Sequence, residues 1–231
     1  MGWLSKFITS SIGQKLIMSL TGLFLVLFLA VHLAGNLTLL TGDNGKSFNI
    51  YADFMVHNPL IKTTSFGLYF FILLHAVQGI IIKLKNNKAR GSKYLAKNKS
   101  SVPFASNNMA LLGILIFAFL CIHMGDFWFK MKLSEVFGGE GVPAINYDGA
   151  AVKDIYSKVV WSFSQLWIVI VYLIGLVALA LHLWHGFESA FQTLGLNHKK
   201  YTPIIKGLGK VYSILVPIGF AILPIYIFLT K

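Results

Sequence analysis

The run WSFSQLWIVIVYLIGLVALALHLWHGFESAFQTLG, from Trp161 to Gly195, constrains the whole chain. Its nearly uninterrupted apolar part reaches the roughly 20 residues that carry a helix through a bilayer core. At its end stand His182, His185, Gly186, Glu188 and Ser189. Ionisable groups inside such a helix are costly and need partners. What His182 and His185 meet is therefore the first question the sequence raises.

Four further apolar blocks have comparable length. With the first they predict helices over about Leu16–Leu40, Ser65–Leu84, Ser106–Phe129, Trp161–Ser189 and Ile204–Leu229. Only 12% of the 231 residues are charged and 56% are hydrophobic, against a charged fraction of about a quarter in soluble domains. The expected fold is an all-α integral membrane protein, a single bundle of five transmembrane helices over residues 1–231. Little chain is left for a separate soluble domain, and no internal repeat or low-complexity tract appears.

The net charge of +12 does not point to nucleic acid, because the basic residues lie between spans. Lys83, Lys85, Lys88, Arg90, Lys93, Lys97 and Lys99 crowd the second connection. Lys199, Lys200, Lys206 and Lys210 fill the fourth, and Lys6 and Lys15 precede the first helix. The first and third connections carry Asp43, Asp53, Glu135, Glu140, Asp148 and Asp154 instead. Positive charge collects on the cytoplasmic side, so the N-terminus is expected inside and the C-terminus outside. A basic inner face suits an acidic lipid surface or a docked protein.

The single Cys121 excludes an internal disulfide and a covalent Cys-x-x-Cys-His haem site, and reads as a small core residue. The opening MGWLSKFITSSIGQK has too short an apolar core for a cleaved signal peptide, so the first helix is expected to stay as an anchor. Lys6 breaks the myristoylation pattern. Ile12–Lys15 is expected at the interface. Turn chemistry at Gly42–Gly45 precedes a short interfacial helix around Tyr51, Phe54 and Met55. The loop from Lys130 to Val160 reads as an irregular turn at GGEGVP and a short surface helix over Tyr147–Ser157. Pro203 starts the last helix, and Pro217 and Pro224 are expected to kink it.

Five of the seven histidines, His32, His75, His123, His182 and His185, fall within the spans; His57 and His198 belong to loops. One such histidine is readily spent on an interhelical hydrogen bond. Four helices each contributing one are harder to attribute to packing, and neutral imidazole is the usual protein ligand of haem iron. His32 and His123 lie past the midpoints of helices running outward. His185 lies well past, and His75 slightly past, the midpoints of helices running inward. The set thus sorts into an outer and an inner pair, as two bis-histidine haems stacked across the membrane require. His75 is the more central of the inner two, and helix tilt is expected to absorb the mismatch. Gly35, Gly79, Gly125, Gly186 and Ser189 would let a flat macrocycle approach, although close helix packing uses glycine equally well. Spacing alone leaves His182 and His185 equivalent.

Taken together, these features resemble the cytochrome b membrane-anchor subunit of succinate dehydrogenase and quinol:fumarate reductase, in its five-helix, dihaem form. The likeness covers almost the whole chain. It rests on Ser19-x-Thr21-Gly22 before His32, LLTGDN over Leu39–Asn44, LHA at His75, FLCIH at His123 and HGFESAF from His185 to Phe191. The resemblance implies two haem b groups, one held by His32 and His123 and the other by His75 and His185. Ser189 and Phe191 fit the family spacing after His185, which leaves His182 as a propionate or proton partner. It implies a flavoprotein and an iron–sulfur subunit on the cytoplasmic side, and a place in the cell's inner (cytoplasmic) membrane. The chain would be their non-catalytic electron-transfer partner, with no dicarboxylate active site, passing electrons to or from a membrane quinone, menaquinone being the expected one. Candidates for quinone or haem-edge contacts are Tyr51, Asp53, His182 and Ser19. Strict register from His32 and Asp43 places Phe54, not Asp53, at the family's acidic position. Two alternatives remain: a cytochrome b of a hydrogenase or formate dehydrogenase, and a haem-free transporter with a histidine relay. The absence of paired broken helices and of membrane-centred carboxylates weighs against the transporter.

Overall fold

The structure is a computed structural model that describes residues 2–89, 104–131, 136–138 and 141–231. The expected charges at Arg90, Lys93, Lys97, Lys99, Glu135 and Glu140 lie outside the described residues. Among the described residues five helices are long and apolar enough to cross a membrane, and the chain is a multi-pass, all-α membrane protein.

A short helix α1 (Trp3–Thr9) meets α2 (Ser11–Asn36) at Ser10, which is extended and accepts from the Gly13 amide at 3.0 Å. This is an N-cap, and it starts the first span earlier than expected, taking in Ile12–Lys15. A Cβ on Gly13 would sit 2.0 Å from the Phe7 carbonyl oxygen, so the corner needs glycine. After a 3₁₀ turn (Leu37–Leu40), Asn44 and Gly45 at positive φ lead into α3 (Lys46–His57), the interfacial helix predicted around Tyr51. Next, α4 (Pro59–Ala89) outruns its predicted bounds at both ends. Asn58 Oδ1 accepts from Leu60 and Ile61, and Pro59 occupies the first turn, which together begin the helix outside the apolar block.

The third span opens with a single turn α5 (Phe104–Asn107) and continues as α6 (Met109–His123). From Met124 to Phe129 it becomes a π-helix. Cys121 is exposed on α6, not placed in a core. The predicted irregular loop contains a hairpin, β1 (Ala144–Tyr147) antiparallel to β2 (Ala150–Lys153). Asp148 and Gly149, both at positive φ, make its two-residue turn. The surface helix expected at Tyr147–Ser157 instead forms as α7 (Ile155–Phe163), capped by Asp154. Gln165 is extended, and Ser164 spends its hydroxyl on the Trp161 carbonyl. The fourth span α8 (Leu166–Thr193) therefore starts later than Trp161. The last, α9 (Thr202–Thr230), runs on through Pro217 and Pro224.

Helix α8 is the spine. It packs against α9, α6 and α2, and buries Ile168, Val169, Tyr172, Leu176 and Leu183. Helix α4 packs on α2 and α6, with much of its apolar surface facing outward. One end of the bundle carries a cap of α3, the hairpin and α7. Fully buried Asn49 ties the cap together: its amide donates to Tyr147 Oη and Asp154 Oδ1, and its carbonyl accepts from the Tyr156 amide. The opposite end carries Lys83, Lys85 and Lys88 at the end of α4 and Lys199, Lys200, Lys206 and Lys210 around the start of α9.

Candidate functional site: two histidine pairs

His32 on α2 and His123 on α6 face each other near the cap, their ring centres 5.9 Å apart. His75 on α4 and His182 on α8 face each other deeper in the bundle, 6.2 Å apart. Two imidazoles on opposite sides of one metal, each bonded at about 2 Å, have ring centres about 6 Å apart. Both separations meet that requirement. Among the described residues no three His, Cys, Asp or Glu side chains converge, so the histidines are arranged as pairs.

The partner that the structure brings to His75 is His182, not His185. Among the described residues no ring contact joins His75 to His185. The reason lies in position along the helices. His75 stands near the middle of Pro59–Ala89 and His182 near the middle of Leu166–Thr193, so the two share one depth. His185, almost a turn further on, does not. The mismatch in depth expected for the inner pair is absent once His182 is the partner.

Neighbouring side chains set three of the rings. Thr21 donates its hydroxyl hydrogen to the Ile17 carbonyl at 2.8 Å, so its oxygen lone pair is open to His75 Nδ1 at 3.0 Å. That contact puts the His75 proton on Nδ1 and leaves Nε2 as a lone-pair donor. Tyr172 Oη lies 3.1 Å from His123 Nδ1. Asn36 donates to the His32 carbonyl at 2.7 Å and brings the same amide nitrogen to 3.3 Å from His32 Nδ1. His182 differs. Its Nδ1 is buried without a hydrogen-bond partner among the described residues, a costly state for a polar atom. Phe28 and Phe220 flank His32, and Phe119 and Phe127 flank His123.

The glycines divide in function. Gly22 lies against His75, where an added Cβ would stand 3.2 Å from the ring, and Gly113 lies beside His182. Gly35 is covered by the Tyr51 ring and Gly79 by Met18, so both admit side chains of this chain. Around Gly125 there is open space. Ser189 lies on α8 beyond both of its histidines.

The remaining candidates are not gathered at one point. Ser19 is buried and donates to the Lys15 carbonyl of its own helix. Tyr51 reaches from α3 onto Gly35, one turn beyond His32. Asp53 pairs with the exposed His57 at 3.2 Å. Tyr172 and Asn36 escape notice in the sequence, where each is one polar residue in an apolar helix. Thr21 lies within a quoted motif, but its role depends on how α2 packs on α4.

No family model, no curated protein and no solved structure matches this chain.

Proposed function

We propose that the chain is a dihaem cytochrome b subunit. It anchors a succinate dehydrogenase or fumarate reductase complex in the cell's inner membrane and passes electrons between an iron–sulfur subunit and a membrane quinone. The observation that carries the haem reading is the pair of histidine pairs, each drawn from two different spans, with ring centres 5.9 and 6.2 Å apart. His32 and His123 hold one haem b, and His75 and His182 hold the other. A buried, unpartnered His182 Nδ1 and the glycines beside His75 and His182 fit a site shaped for a flat group. Each haem supplies a reversible one-electron iron couple. This chain's residues hold the rings, fix the proton on Nδ1 where Thr21 accepts it, and exclude water with phenylalanines.

The partner assignment rests on the resemblance and on the lysines at one end of the bundle. Lys83, Lys85, Lys199, Lys200 and Lys210 form the docking face for the iron–sulfur subunit, with the flavoprotein beyond it; that end is cytoplasmic. The quinone, menaquinone in this reading, reacts at the cap end. Tyr51, which covers Gly35 one turn beyond His32, is the candidate contact there, and Asp53 with His57 offers a proton route to water. Pyridine haemochrome assay of the purified complex tests the reading. Two haems per chain are expected, and His32→Ala and His123→Ala should remove the same redox component. A haem-free wild type rejects the reading.

A further inference from the structure

Beside the cap-end histidine pair lies a charge network that the haem reading leaves unused. Asp126, within the π-helical turn that begins just after His123, has a side chain only 12% exposed. It accepts from Lys158 at 2.9 Å, Lys130 at 2.8 Å and Ser162 Oγ at 2.7 Å. Lys158 donates to Ser162 as well, and Ser162 has no solvent exposure. The Lys158 ammonium sits 4.6 Å from the Trp161 ring centre and 5.4 Å from that of Phe127. Phe127 in turn lies 5.6 Å from His123, and Phe163 stacks edge-on to Tyr172, the His123 hydrogen-bond partner. The network and the histidine thus share one aromatic wall.

We propose that the Asp126–Lys158 pair is an electrostatic positioning device that sets the reduction potential of the haem held by His32 and His123. The inference rests on the haem reading above. Charges buried behind aromatic rings act through a low dielectric and escape salt screening. A π-helical turn is a local departure from α geometry that recurs at functional sites. Here it places the carboxylate of a membrane helix against two lysines. Reduction adds an electron at the iron, so a nearby carboxylate disfavours it and a nearby ammonium favours it. Asp126 and Lys158 therefore pull the potential in opposite directions.

Redox titration of the purified complex, with haem content measured in each preparation, tests this. Asp126→Asn should raise the midpoint of the component that His123→Ala removes, and Lys158→Met should lower it. Asp126→Glu should restore the wild-type value, and the His75–His182 component should stay in place throughout. Shifts of the same sign in Asp126→Asn and Lys158→Met, or no shift in either with two haems bound, overturn the proposal. If Asp126→Asn loses the haem, retention in Asp126→Glu supports the charge role, and loss in both shows a structural brace and overturns it. A haem-free wild type instead defeats the haem reading, so the two failures are distinct.

Discussion

The His182 ring lies 6.2 Å from that of His75 and shares its depth in the bundle, while His185 stands almost a turn further along α8. Ligand choice follows from that relationship. His182→Ala should lower the haem-to-protein ratio from two to one, and His185→Ala should leave it at two. Loss of haem in His185→Ala with retention in His182→Ala would show that α8 is rotated from the orientation described above.

Tyr172 stands 3.1 Å from His123 Nδ1. A ring that donates from Nδ1 becomes a stronger ligand and favours the oxidised metal. Tyr172→Phe deletes the acceptor while keeping the ring that packs on Phe119 and Phe163. The cap-end component should keep its haem and move upward in potential. A hydrogen bond is worth about 1 kcal/mol, which corresponds to some tens of millivolts for a one-electron couple. An unchanged potential would mean that the tyrosine only fills space.

Gly35 and Tyr51 make a steric pair: a Cβ on Gly35 would come within 2.3 Å of the Tyr51 ring. Gly35→Ala should displace that ring and destabilise the cap by about 1–3 kcal/mol, the usual cost of overpacking. Tyr51→Ala, costly by itself, should make Gly35→Ala nearly neutral in a double-mutant cycle followed by thermal unfolding in detergent. Additive losses would show that the two residues do not meet.

Much of the architecture is legible in the sequence, because about twenty consecutive apolar residues leave a chain few options other than a spanning helix. The ends of the helices are less legible. Apolar character runs straight through Ser164 and Gln165, where the backbone leaves the helix, and α4 outruns its apolar block because Asn58 and Pro59 nucleate it in polar sequence. The Asp148-Gly149 turn is a hairpin signal that a loop reading overlooks. Four helices bearing histidines are plain in the sequence, but the fourth partner is not. His182 and His185 stand about 60° apart around one axis, and only the rotation of α8 in the bundle, which turns His182 rather than His185 to the His75 ring, separates them. Asp126 is one letter in an apolar run, and its partners Lys158 and Ser162 come from across the bundle.

The pairs are interleaved: His32 with His123 joins the first span to the third, and His75 with His182 joins the second to the fourth. No two consecutive spans contain a complete pair, so neither site can mature in a helical hairpin as it leaves the ribosome. The cap-end site owns both its residues once the third span is in the bilayer, whereas the deeper one waits for α8. Order of insertion thus becomes order of completion. A chain halted between α6 and α7 would hold one whole site and half of another.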